Sequence, residues 1–501
     1  MKSTRVLLYT ALALSVQLSP ASHASRGDPA VDAGVRPPNV VLIIADDMSW
    51  HDSGAYGNRR VPTPNIDRLA REGMLFRRAF QSTAMCAVTR QQLYTGLDPM
   101  RSGAYPQHSW VRAGTMSVFH YLRSLGYRVG LTGKTHVGPA EAFPYEYLGD
   151  PEDPRTQGTG DRDLPAVDLE AAEVFVARDA RQPFFLVVAS HNPHGPWTLG
   201  DATRFAPARI EVPAYLADTP GIREALARYY GEITVLDDEV GQVLAMLERQ
   251  GVADRTMVVF TSEQGSSVPF AKWTLYDAGV RTQLIVRWPR RVAPGTTSEA
   301  MISYADVTPT LVEVAGGAPV GGLDGRSFMP VLSGASSMHR AFVYGIHTNF
   351  GIIGGEPYPI RSVRSDRYKL IRNLMPAATF RNALTNTQRS GGLMREWAAA
   401  ARGGHRFAAE RISSYAARPA LELYDMRTDP FEMRNLAADP ALADVRRALG
   451  DELDRWMAQQ GDTGIAAELD AFSHINPAII HWINENYPDA ARTPDGAKIP
   501  R

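Results

Sequence analysis

Five short apolar runs, separated by helical patterns, constrain this chain's fold more than any other feature. They cover residues 39–45, 129–131, 183–189, 256–261 and 283–288. A strand that is apolar at nearly every position has no polar face to offer water, so it belongs in a sheet covered on both sides. Between the runs, residues 65–72, 115–125 and 222–250 show helical patterning. In the last of these, Ile233, Leu236, Val240, Val243 and Leu247 recur at three- and four-residue spacing and form one stripe to lay on a sheet. Strands alternating with helices predict an α/β fold, with a large, mostly parallel sheet sandwiched by helices.

At 501 residues the chain exceeds a single ordinary core. The pattern changes near residue 345, which predicts a large domain over 37–345 and a smaller α+β subdomain over 346–501. In the latter, 360–363 and 368–371 flank Arg364-Ser365-Asp366-Arg367 as a hairpin, 421–424 reads as a strand, and 440–459 reads as a helix. Between Met375 and Ala420 lie Arg381, Arg389, Arg395, Arg402, Arg406, Arg411 and Arg418 against only Glu396 and Glu410. This segment is either a solvated basic surface or a grip for neighbouring anionic groups of a substrate.

Lys2 and Arg5, an apolar run over 6–18 and small residues near Ala24 have the layout of a secretory signal peptide over 1–24. The expected location is therefore periplasmic or secreted. That run is too short for a membrane span, and no later stretch suits one. With 53 Lys+Arg against 54 Asp+Glu, no global field favours nucleic acid or a membrane surface as a partner.

Polar residues gather just after the apolar runs. Asp46 and Asp47 follow the first, Lys134 and His136 the second, His191 and His194 the third, Glu263 and Gln264 the fourth. In an open parallel sheet those carboxyl ends share one edge, where ligand crevices form. Asp46, Asp47, Glu263 and Gln264 bring oxygen donors suited to a hard divalent cation such as calcium or magnesium. Arg90, Lys134, His136, His194 and Lys272 are cationic or hydrogen-bonding, a set that matches a tetrahedral dianion.

Cys86 is the chain's single cysteine, so it has no disulfide partner within the chain. It opens Cys86-Ala87-Val88-Thr89-Arg90, followed by Leu93-Tyr94-Thr95-Gly96. This run resembles the maturation signature of type I sulfatases, Cys-x-Pro-Ser-Arg and then Leu-x-Thr-Gly, with Val88 where proline is usual and Thr89 in place of serine. Residues 39–47, 133–136, His191-Asn192-Pro193-His194, Thr261-Ser262-Glu263-Gln264-Gly265 and Lys272 with 276–281 look like that family's motifs in their usual order. Glu263-Gln264 stands where Asp-Asn is more usual. Residues 422–425, Asp429-Pro430 and Asn435-Leu436 are similar to its closing segment, so the resemblance covers about 37–460. Residues 133–139, and 358–363 running to Asn373-Leu374, resemble the heparan N-sulfatase (sulfamidase) branch.

The resemblance implies an alkaline-phosphatase-like fold, one calcium ion on Asp46, Asp47, Glu263 and Gln264, and oxidation of Cys86 to formylglycine by a sulfatase-maturing enzyme. It further implies that a hydroxyl of the hydrated aldehyde attacks sulfur, with Arg90 and Lys134 steadying the diol and His136 as its base. His194 and Lys272 would hold the sulfate and assist the leaving group, and His194 would protonate a departing amine. The expected substrate is a sulfated saccharide, with N-sulfoglucosamine of heparin or heparan sulfate foremost. Three alternatives stay open: an O-sulfatase on another glycan, a phosphatase or phosphonate hydrolase, and a catalytically silent polyanion-binding protein.

Overall fold

The computed structural model describes residues 36–149, 167–385, 392–477 and 479–481. The predicted signal segment lies outside the described residues, as does Arg389. The larger sheet has eight strands in the order β4 (Glu146–Tyr147), β3 (Arg128–Gly133), β5 (Phe184–Ala189), β1 (Asn39–Ala45), β6 (Thr256–Ser262), β7 (Arg281–Arg287), β2 (Met74–Phe80) and β8 (Thr296–Ser303). Its pairings are parallel from β4 through β6 and between β2 and β8, while β7 runs antiparallel to both its neighbours. The sheet is therefore mostly parallel, as the runs predict, with one reversed strand among them.

Every residue of β1, β5 and β6 is buried, because helices cover both faces. Val41 and Ile43 point into one core with the helix Pro220–Arg249, and Val40, Leu42 and Ile44 into the other with the helices Val118–Ser124 and Val307–Val314. The expected stripe Ile233, Leu236, Val240, Val243 and Leu247 is buried throughout. Burial of each such side chain contributes about 2 kcal/mol.

The smaller sheet is antiparallel, in the order β12 (Leu421–Asp425), β11 (Tyr368–Asn373), β10 (Ile360–Arg364), β9 (Val343–His347). Leu449, Leu453 and Trp456 of the helix Ala443–Gln460 pack on Ile346, Val363, Leu370 and Leu423 of this sheet. The β10–β11 hairpin also reaches the short helix Asp277–Val280 that leads into β7. Lys369 Nζ lies 2.9 Å from Asp277 Oδ1 and Arg364 Nε 3.2 Å from Asp277 Oδ2, all three buried.

Candidate active site

Strand register brings the predicted residues together. Ala45 is level with Ser262, Ile44 with Ala189, and Ala189 with Gly133, so the carboxyl ends of β1, β6, β5 and β3 form one lip. Backbone bonds continue past the strands: Glu263 N donates to Ala45 O at 2.9 Å, Asp46 N to Asn192 O at 3.0 Å and Lys134 N to Ala189 O at 2.9 Å. Gly133 makes the close approach possible. It sits at φ 85°, and a Cβ there would lie 2.1 Å from Ala189 O.

Cys86 starts α2 (Cys86–Thr95), a helix buried at all ten positions. Its first turn faces the lip, with Gln264 Nε2 2.8 Å from Cys86 Sγ. Single oxygen, nitrogen or sulfur atoms of Asp46, Asp47, Cys86 and His194 all lie within 4.8 Å of one another. Three buried carboxylates, Asp46, Asp47 and Glu263, meet three buried cations, Arg90, Lys134 and Lys272. Lys134 Nζ pairs with Asp46 and lies 3.4 Å from Glu263 Oε1, while Arg90 pairs with Glu263. Asp47 Oδ2 accepts from Lys272 Nζ at 2.7 Å and Ser267 Oγ at 2.6 Å, and lies 3.7 Å from His194 Nε2.

Electrostatics follow from that pairing. Burial alone would raise the Asp46 carboxyl, but the Lys134 ammonium and His194 hold it at about 2. Asp47 is likewise held below its ordinary value against burial, chiefly by Lys272. Burial and the Glu263 charge push the Cys86 thiol up to about 12, so at neutral pH the unmodified side chain is not a thiolate. Burial, His108 and Lys134 hold His136 well below its ordinary value and keep it neutral.

The donor set fits a hard divalent cation. Asp46 Oδ1 and Gln264 Oε1 are buried oxygens without a hydrogen-bond partner, the condition a bound cation would relieve. Gln264 differs from the expected arrangement in one respect. Its amide nitrogen, not its oxygen, lies against Asp47 Oδ1 at 2.7 Å and Glu263 Oε1 at 3.3 Å, and a half-turn of the amide exchanges the two. Glu263 stands beside the compact set of four, with Arg90 and Lys134 as its ion-pair partners.

Sequence reasoning missed Ser267 and His108. The Ser267 hydroxyl reaches Asp47, and His108 Nδ1 lies 2.9 Å from His136 Nε2. It also missed Glu239, which is buried in the helix Pro220–Arg249 and accepts from Ser190 Oγ at 2.5 Å and Asn192 Nδ2 at 3.0 Å, fixing the loop that carries His191 and His194. Within the basic segment, Arg411 and Arg418 do not form a free grip. They are buried on aromatic rings, Arg411 3.6 Å from the Phe270 centroid and Arg418 4.0 Å from that of Phe380. Arg381 is exposed and pairs with Glu356 at 3.3 Å.

Comparison with known proteins agrees with this geometry. Residues 38–318 match the sulfatase family model, and 265–382 match the model of the N-sulphoglucosamine sulphohydrolase C-terminal region. An ulvan-active sulfatase of Formosa agariphila is 33% identical over 85% of this chain and 81% of its own length. The human N-sulphoglucosamine sulphohydrolase is 32% identical over 86% of this chain and 92% of its own. A solved structure of a protein in complex with its substrate, D-glucosamine-2-N,6-O-disulfate, superposes with a TM-score of 0.65 at 19% identity, covering 85% of this chain and 99% of that one. The chain thus belongs to the sulfatase family, and it is a hydrolase of sulfate esters or sulfamates.

Proposed function

We propose that the protein removes the N-sulfate of glucosamine at the end of a heparin or heparan sulfate fragment, with the formylglycine form of Cys86 as nucleophile. The observation that carries this reading is the match of 265–382 to the N-sulphoglucosamine sulphohydrolase C-terminal model. That span contains Lys272 and the β10–β11 hairpin. Unmodified, Cys86 would be a poor nucleophile, since burial keeps its thiol protonated. Asp46, Asp47, Glu263 and Gln264 would hold calcium, which when bound supplies positive charge to sulfate oxygens.

The chain's own residues divide the remaining work. Arg90 and Lys134, anchored by Glu263 and Asp46, orient the nucleophile. His136, neutral and half-buried, is the base. Lys272 and His194, both at Asp47, hold the sulfate, and His194 supplies the proton that a departing amine requires. A signal segment that exports the chain is part of the same reading, as is a maturing enzyme that acts on Cys86.

A second reading, O-sulfate hydrolysis on another glycan, is favoured by the similarity to an ulvan-active sulfatase. Sulfate release from defined N-, 2-O- and 6-O-sulfated glucosamine-containing fragments and from ulvan oligosaccharides separates the two. Release from the N-sulfated fragment alone is expected. Release only from O-sulfated sugars would overturn the first reading, hydrolysis of a phosphate or phosphonate ester alone would favour the phosphatase, and no turnover with intact binding would favour the silent binder.

A further inference from the structure

His136 is paired through one ring nitrogen. Its Nε2 lies 2.9 Å from His108 Nδ1, with ring centroids 5.0 Å apart. Both residues occupy left-handed backbone, at φ 64° for His108 and 50° for His136. A non-glycine residue there costs on the order of 1–3 kcal/mol and persists only where its surroundings over-determine it.

Those surroundings hold His108 from three sides. Gln91 of α2, next to Arg90, donates from Nε2 to Ser109 O at 2.8 Å and accepts from Val111 N at 3.1 Å. Val111 N also donates to Gly138 O at 3.0 Å, joining this segment to the loop that carries His136. Near the chain's end, Asn476 N donates to His108 O at 3.1 Å, and Ile475 forms an antiparallel bridge with Ser109.

The other nitrogen of His136, Nδ1, is buried and has no hydrogen-bond partner. Its charged neighbours are Lys134, Glu263 and Arg90. When both rings are neutral, the hydrogen bond they share admits two arrangements. If His108 donates, the proton of His136 sits on Nδ1, and that nitrogen is a donor with no lone pair to receive a proton. If His136 donates from Nε2, Nδ1 keeps its lone pair and can receive a proton.

We infer that His108 is a positioning residue: its Nδ1 accepts the Nε2–H of His136 and so fixes the tautomer whose bare Nδ1 serves as the base. This rests on the role proposed above for His136. The proton of the attacking hydroxyl passes to Nδ1, giving an imidazolium that still donates from Nε2 to His108, and it is then released to water. His108 itself touches no reacting atom.

The test combines one spectroscopic and one kinetic measurement. In histidine-labelled protein, with the His136 signals assigned by their loss in His136→Gln, nitrogen-15 spectra should show Nε2 protonated and Nδ1 bare. Two variants tolerate the backbone at φ 64°. His108→Gly removes the acceptor, whereas His108→Asn offers an amide oxygen near the place of Nδ1. His108→Gly should lower kcat about 10- to 100-fold with KM within about twofold, the scale of a displaced general base. His108→Asn, or added imidazole with His108→Gly, should restore most of it. A wild-type His136 protonated on Nδ1 would overturn the inference, as would equal loss in both variants without rescue. If the wild type released sulfate from nothing, the proposed function would fail while the spectrum still decided the tautomer.

Discussion

Glu468 offers a quantitative test of how this fold handles a buried charge. It is fully buried, and its Oε1 accepts from the backbone N–H groups of Asn349 at 2.9 Å, Phe350 at 2.8 Å and Tyr358 at 2.9 Å. Its Oε2 is buried without a hydrogen-bond partner. Burial raises its pKa from 4.5 to about 7, even against those three bonds and the nearby Arg361. Because the folded value lies above the unfolded one, stability from the protonated form is complete below about pH 4.5 and is lost as pH rises towards 7. At about 1.4 kcal/mol per pKa unit, ionisation costs the fold about 3 kcal/mol by pH 8.

Glu468→Gln keeps the Oε1 acceptor and has no proton to lose. Its NH2 takes the position of Oε2 and adds a pH-independent cost of about 1 kcal/mol. Unfolding entropy for a chain of this size is about 1 kcal/mol/K. The variant's Tm relative to wild type should therefore rise by about 3 °C between pH 5 and pH 8, from slightly below to slightly above. Differential scanning calorimetry of both proteins across that range measures it. A Tm difference that stays constant with pH would refute the reasoning.

Asp47→Asn leaves Lys272 without its buried counter-charge, so stability should fall by about 3–5 kcal/mol; elemental analysis should show lost metal and assays little turnover. Cys86→Ala should abolish sulfate release while circular dichroism and metal content stay unchanged. Peptide mass spectrometry of secreted wild type should show formylglycine at that position. Arg418→Leu should lower Tm but not change KM for a disaccharide, and Arg381→Glu should change neither, since one arginine lies on Phe380 and the other on Glu356. Gly133→Ala should cost about 2–4 kcal/mol and reduce kcat, because its Cβ would strike Ala189 O beside Lys134.

The elements that the sequence made legible are those whose burial is uniform along the chain. β1, β5 and β6 are apolar on both faces, and the polar residues after them follow from register alone. β2 and β8 left no comparable trace, since Arg77 and Arg78 interrupt the first, and the second is a polar edge strand with Thr296, Thr297 and Glu299 outward. β7 was legible as a strand but not as a reversed one, because direction is set by partners. α2 lacks an amphipathic stripe for the opposite reason: it is buried all round, Arg90, Gln91 and Gln92 included. Ser267, Glu239 and His108 were invisible because their function depends on neighbours far away in sequence. The basic segment misled because a count of charges does not tell that Arg411 and Arg418 lie under aromatic rings.

The clasp between residues 105–109 and the chain's end has a kinetic consequence. Tyr105 Oη donates to Ala467 O across 362 residues, and Trp456 Nε1 to Asp98 across 358. Contacts of such span close only after all the intervening residues have been made, and their loop-closure entropy is met late in folding. While the chain grows from its N-terminus, β1 through β6 can assemble before residues 467–476 exist, yet the wall beside His136 stays unfastened. Synthesis therefore leaves an interval in which the segment around Cys86 is made but not sealed. The maturing enzyme of the proposed function would have its opportunity in that interval, since in the finished protein only 2% of Cys86 is exposed. On the proposed reading, the order of folding, as well as the final shape, would govern whether the formylglycine nucleophile is formed.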